Sequence, residues 1–127
     1  MSRITKGFLT SAIVYGLLGL ALGLHMAIAQ DHGQRPTHAH ILVIGLLSFF
    51  VFGLFYLHFD RAARQLLAHL HFWLAQLGML GIMIGLAFIY SGHTEFDPVA
   101  GVAAITYALS FILFAIVALP AIWSRNG

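Results

Sequence analysis

Residues 35–59 read RPTHAHILVIGLLSFFVFGLFYLHF. After Arg35 the stretch carries no Asp, Glu, Lys or Arg, and from Ile41 to Tyr56 it is apolar except for Ser48. About 20 such residues are enough for a helix to cross a bilayer. Pro36 suits a helix start, where its missing N–H removes no hydrogen bond. The stretch therefore predicts a membrane-spanning helix over His38–Phe59 that opens on a His38-Ala39-His40 pair. Polar side chains are costly in lipid and are kept there for a reason, so this pair is the feature that most needs explaining.

Working outward, three more apolar runs predict helices over Phe8–Ala29, His69–Ser91 and Val99–Trp123, joined by Gln30–Thr37, Asp60–Ala68 and Gly92–Pro98. The composition agrees: 61% of residues are hydrophobic and only 8% charged, against about a quarter charged in soluble domains. The mean hydropathy is +0.94. The expectation is one all-α transmembrane domain over residues 1–127, an integral membrane four-helix bundle. Its first run, preceded by Arg3 and Lys6 and closed by Ala27-Ile28-Ala29, has the outline of a secretory signal. It is too long for the usual signal core and is expected to remain as a helix.

Basic residues set orientation, because cytoplasmic loops are rich in Lys and Arg. Arg3, Lys6, Arg61, Arg64 and Arg125 fall on one side of the four runs; Arg35, Asp31, Glu95 and Asp97 fall on the other. Both termini are therefore expected in the cytoplasm. The net charge of +2 is used up by this topology and gives no reason to expect nucleic acid as a partner. With no cysteine, disulfides, thiolate metal sites and thiol catalysis are excluded. No nucleophile–base set is present, and Glu95 and Asp97 fall in a loop, so nothing points to a hydrolase.

A shift of 62 residues places Gly16, Gly19 and Gly23 on Gly78, Gly81 and Gly85, Pro36 on Pro98, and Ser48, Phe49 and Phe52 on Ser110, Phe111 and Phe114. The chain reads as two helical hairpins in parallel orientation, the pattern expected of a duplication. His38 and His40 align with Ala100 and Val102, so any site they form belongs to the first hairpin. Gly19xxxGly23 and Gly81xxxGly85 allow close helix approach; packing inside the bundle is the first expectation and oligomer contact the second.

Eight histidines are unusual in so apolar a chain. His38 and His40 stand about 200° apart on a helix, so they address opposite sides. The His38 face continues through Gly45, Phe49, Gly53 and Tyr56 and is expected to leave room for a flat macrocycle. The His40 face continues through Ile44, Leu47, Val51 and Leu54 and is expected to seal against lipid or another helix. The competing reading makes both interfacial residues bonded to water and loop carbonyls. His25, near the end of the first helix on a face with Val14, Leu18 and Ala21, reads as a packing residue with a ligand role as the alternative. His93 and His32 read as solvated loop residues. His58, His69 and His71 read as interface residues beside Arg61 and Arg64, with a metal site as the alternative. Trp73 and Trp123 are expected as interface anchors, and Met26, Met79 and Met83 as packing residues.

RPTHAHILVIGLLSFFVFGLFY resembles the second helix of subunit I of the heme-copper oxidase and nitric oxide reductase superfamily, where a basic residue and a histidine open the helix. LHFWLAQLGMLGIMIGL resembles the next helix of that subunit, and YGLLGLALGLHMAIA the preceding one. The resemblance covers about three quarters of the chain and is weakest in the fourth helix. It implies that His38 is an axial ligand of a low-spin heme b, with Gly45 and Phe49 on its face and Arg35 beside the propionates. The superfamily subunit has about twelve helices, and the later ones, which supply the opposite heme ligand and the catalytic heme and copper ligands, have no counterpart here. Oxygen or nitric oxide reduction by this chain alone is therefore not implied.

The superfamily subunit is built of three similar arcs of four helices, so the resemblance implies a homo-oligomer, a trimer in particular, in which His38 of one copy and His40 of the next hold one heme. His25, His93 and, less directly, His71 are the other candidates for the opposite ligand. The function implied is a small membrane cytochrome b in a bacterial inner membrane. It would transfer electrons from a donor protein or a quinol, or sense redox state or a gas. Two other functions stay open: a protein handling copper or heme, since imidazole suits several metals, and an assembly or structural subunit of a respiratory complex.

Overall fold

A computed structural model describes residues 1–124 and is built of helices and short connections. Four helices are long and apolar enough to cross a membrane: α1 (Arg3–Ala29), α2 (Arg35–His58), α3 (Leu66–Ile89) and α4 (Asp97–Trp123), the last preceded by a 3-10 turn at Thr94–Phe96. The four expected long apolar helices are therefore present, with boundaries displaced by a few residues. Arg125 lies outside the described residues.

The displaced starts have local causes. α1 begins five residues before the expected Phe8 because Ser2 caps it: its Oγ accepts a hydrogen bond from the Thr5 backbone N–H at 3.1 Å. Such a cap satisfies one of the orphan N–H groups at a helix start. Polar residues end an apolar run but not a helix, so Arg3 and Lys6 continue it. α1 ends at Gln30, which takes the left-handed conformation at φ 56°. Pro36 and Pro98 sit in the first turns of α2 and α4, as expected. The 60–68 connector contains one further helical turn over Asp60–Ala63.

The helices run up, down, up and down. At the end holding the chain termini, Phe8 near the start of α1 touches Phe49, Phe52 and Tyr56 late in α2 and His71 early in α3. His71 in turn touches Phe114 late in α4. This is the terminal end of the bundle, and its aromatic cluster is the core. The opposite end carries the 30–34 and 90–96 connections and is the loop end.

Within each hairpin the glycines form a ladder. A Cβ on Gly16, Gly19 or Gly23 would meet Leu46, Leu42 and His38, respectively; on Gly78, Gly81 or Gly85 it would meet Tyr107, Ala103 and Ala100. Both GxxxG pairs thus serve close packing inside the bundle. From the first ladder to the second, the glycine positions shift by 62 residues. Their partners shift by 62 at His38 but by only 61 at Leu42 and Leu46. The first hairpin holds one extra residue, and α2 absorbs it: Ile41–Leu47 is π-helical. At its end the Ser48 N–H reaches the Val43 carbonyl, five residues back. In a regular α-helix, steps of four drift by about 40° each; the wider π turn lets Thr37, Ile41, Gly45 and Phe49 all stay buried.

Candidate functional site at the start of the second helix

The first turn of α2 is tied to the end of α3. The Gln34 amide donates to the Ala87 carbonyl at 2.9 Å and to the Ser91 hydroxyl at 2.9 Å. Its carbonyl oxygen accepts from the buried Thr37 hydroxyl at 2.6 Å. His38 and His40 therefore project from a braced turn, and the π-helical segment starts at the next residue, Ile41. Single-turn π segments occur often at functional sites.

His38 lies against α1, with its Nδ1 2.8 Å from the Gly19 carbonyl. A Cβ on Gly23 would come within 2.8 Å of its ring, so Gly23 makes the space for the imidazole. His40 turns the other way, with its Nδ1 2.7 Å from the Pro36 carbonyl. A carbonyl only accepts, so each Nδ1 carries the proton in these bonds. In the neutral imidazole Nε2 then keeps its lone pair, the arrangement that orients a metal-binding histidine. His69 makes a similar bond to the Gln65 carbonyl at 3.1 Å, but from an exposed position at the terminal end. The back-bond within a turn is therefore not peculiar to the pair; the interhelical bond of His38 and the surroundings of His40 are.

Those surroundings depart from the expected faces near the pair, while Leu47, Val51 and Leu54 further along the His40 stripe stay on the outer surface. The His38 stripe leaves no room for a macrocycle, because α1 fills it. A Cβ on Gly45 would meet Tyr15 at 2.8 Å, one on Gly53 would meet Leu9 at 2.6 Å, and Phe49 is fully buried against Tyr15 and Phe8. The glycines are spent on helix approach, a use that helix periodicity alone does not distinguish from an opening. The start of the His40 face, expected to seal against lipid or another helix, instead borders at His40 and Ile44 a cleft of about 490 Å³ between α2, α3 and α4. Ala100, Gly101, Ala104 and Ala108 form its wall on α4; His40, Ile44, Tyr90, Asp97 and Tyr107 also line it. Small side chains on α4 create the space, a signal present in the sequence as Ala-Gly-Val-Ala-Ala over residues 100–104.

The remaining candidates are scattered. His25 is exposed on the outside of α1 with Val14, Leu18 and Ala21, not packed in the bundle. His93 is exposed and lies 3.3 Å from the Glu95 carboxylate. Arg35 is exposed beside the pair, with no ion pair among the described residues. No group of three or more His, Asp or Glu residues suited to a metal ion occurs among the described residues.

His71 departs furthest from expectation. It is not an interface residue but is fully buried, 2.9 Å from the Tyr56 hydroxyl through Nδ1. Phe8, Phe52 and Phe114 surround its ring at 5.0, 4.6 and 5.1 Å. Its Nε2 is buried without a partner. Depth along the helix suggested the interface, but Ala68, His71, Ala75, Gly78 and Ile82 form one buried stripe of α3, and that angular position decides. A second polar link joins α1 to α3: the Tyr15 hydroxyl donates to the Gln76 carbonyl oxygen at 2.8 Å, and the Gln76 amide donates to Ser11.

Comparison with protein-family models, with curated proteins and with solved structures finds no match to this chain.

Proposed function

We propose that the chain is a small b-type cytochrome of the bacterial inner membrane, with its termini in the cytoplasm, working as a homo-oligomer in which neighbouring copies share heme through His38 and His40. The observation that carries the reading is the opposed pair itself: two imidazoles two residues apart, each held through Nδ1 by a backbone carbonyl and each keeping Nε2 for a ligand. Two histidines that face opposite sides of a helix cannot grip one iron together, so the second axial ligand comes from another copy. The cleft beside His40 offers apolar walls of small residues to a flat ring. His38, packed on Gly23, needs its Nε2 to meet the neighbour at the surface between copies. Arg35, exposed next to the pair, supplies a guanidinium for propionates, whose geometry it matches.

Held by His38 and His40 of neighbouring copies, heme would supply one-electron transfer, which the chain would tune through its ligands and burial. This favours electron transfer over reaction with oxygen. The resemblance of residues 35–56 to subunit I of the heme-copper oxidases points the same way.

The test is the visible spectrum of protein expressed with ample heme and purified in detergent. A sharp Soret band, with narrow, split alpha and beta bands after dithionite, is the expected result. His38→Ala and His40→Ala are each expected to lose most of the heme. A featureless spectrum, or normal heme content in the His40→Ala protein, would overturn the shared-heme reading.

A further inference from the structure

We propose a second site, at the terminal end of the bundle, that binds one membrane phospholipid through a headgroup carrying hydrogen-bond donors, ethanolamine or glycerol. A groove of about 260 Å³ lies there between the 60–68 connection and α4, lined by Arg61, Gln65, Ile116, Val117, Pro120 and Ser124 among others. The inference rests on the chain residing in a membrane and is independent of heme.

Three features point to that ligand. The first is the cation. Arg64 is held by Asp60 at 2.8 Å, whereas Arg61 has no ion pair among the described residues and lines the groove. A guanidinium facing a groove suits a phosphate, and basic pockets between membrane helices take lipid headgroups. The second is the mixed wall. Ile116, Pro120 and Ala121 continue the groove along α4 as apolar surface over the buried Val117, the path an acyl chain would follow. The third is Pro120, inside α4. Proline has no N–H, so the carbonyl four residues earlier, at Ile116, loses its usual helical donor. Ile116 and Pro120 lie on the same stripe and both line the groove. An acceptor left over beside a cation suits a headgroup that presents a phosphate and, a few atoms away, an ammonium or hydroxyl. Choline offers the phosphate but no donor.

Binding would be measured on the full chain in a detergent free of phosphate, by thermal stabilisation with short-chain phosphatidylethanolamine, phosphatidylglycerol and phosphatidylcholine of equal chain length, and with inorganic phosphate alone. Ethanolamine and glycerol lipids are expected to bind at least about tenfold more tightly than choline lipid (about 1.4 kcal/mol). Arg61→Gln is expected to weaken all three by about tenfold, with Arg64→Gln unchanged. Pro120→Ala returns a donor to the Ile116 carbonyl and is expected to erase the headgroup preference while keeping phosphate-dependent binding. Ile116→Trp fills the groove without altering charge and keeps the test open if Arg61→Gln does not fold; it should block lipid. Equal affinity for choline lipid, full competition by inorganic phosphate, or unchanged binding in both Arg61→Gln and Ile116→Trp would overturn the proposal.

Discussion

The least expected residue of the chain is His71. A fully buried histidine bonded to one tyrosine and ringed by phenylalanines is a polar pair inside an apolar core. Net stabilisation by such a bond is small, but leaving one partner buried and unmatched costs about 1–3 kcal/mol. Tyr56→Phe leaves both ring nitrogens of His71 without a partner and is expected to destabilise by that amount. His71→Leu strands the Tyr56 hydroxyl and is expected to cost about as much. The double variant removes both polar groups and keeps the volume, so it is expected to recover most of the loss. Unfolding of the four proteins in one detergent closes the cycle; simple additivity of the two losses would show that the pair is not coupled. Depth along α3 did not reveal this role. The heptad-like spacing of Ala68, His71, Ala75, Gly78 and Ile82 held the information, because the angle around a helix and not the distance from its end decides burial.

At the level of elements, the four long helices were legible because helices apolar enough to cross a bilayer need long apolar runs and little else produces them. Their starts were less so: caps such as Ser2 and first-turn residues such as Arg3 are polar and lie outside the run. The π segment of α2 was not legible at all. Shifting the sequence by 62 residues aligns Ser48, Phe49 and Phe52 with Ser110, Phe111 and Phe114, yet the packing partners run at 61 beyond His38. Burial follows the packing: Phe49 and Tyr56 correspond to Ser110 and Val117 at 61, and all four are buried. The extra residue sits directly behind His38 and His40, in the hairpin that carries them. The second hairpin builds the same ladder without it, so deleting the exposed Val43 is expected to leave a folded protein, with a loss below about 2 kcal/mol. Deleting the equally exposed Leu17 lies between Gly16 and Gly19. It rotates one part of α1 by about 100° against the other and is expected to abolish cooperative unfolding. Circular dichroism and thermal unfolding separate the two. If Val43 deletion is as damaging as Leu17 deletion, the π segment is essential to folding and not a local insertion. If Val43 deletion folds but loses heme, the π segment serves the pair and not the bundle.

For the whole molecule, the up-and-down order brings all of Arg3, Lys6, Arg61 and Arg64 to the terminal end, and Asp31, Glu95 and Asp97 to the loop end with Arg35. Five of the six basic residues of the chain are Arg3, Lys6, Arg61, Arg64 and Arg125, and the positive-inside rule directs the end they favour to the cytoplasm. In the orientation proposed above, the His38–His40 pair and the cleft beside it would face the periplasmic side, and the Arg61 groove the cytoplasmic leaflet. The sequence contains no cysteine, so one introduced thiol reports one position without background. Glu95→Cys and Arg64→Cys are both exposed in short connections at opposite ends. In intact bacterial cells with a permeable outer membrane, a charged maleimide that cannot cross the inner membrane is expected to label Glu95→Cys and to reach Arg64→Cys only after lysis. The reverse pattern would turn the molecule over, placing the histidine pair where a cytoplasmic donor reaches it and the lipid groove in the other leaflet. Labelling of both before lysis would mean that the four helices do not span the membrane as a bundle. On the proposed function, the orientation would govern the electron donor as well. A periplasmic pair is reached by a protein or a quinol oxidised on that face, while a cytoplasmic one is reached by soluble reductants, so the two labelling outcomes also choose between classes of partner.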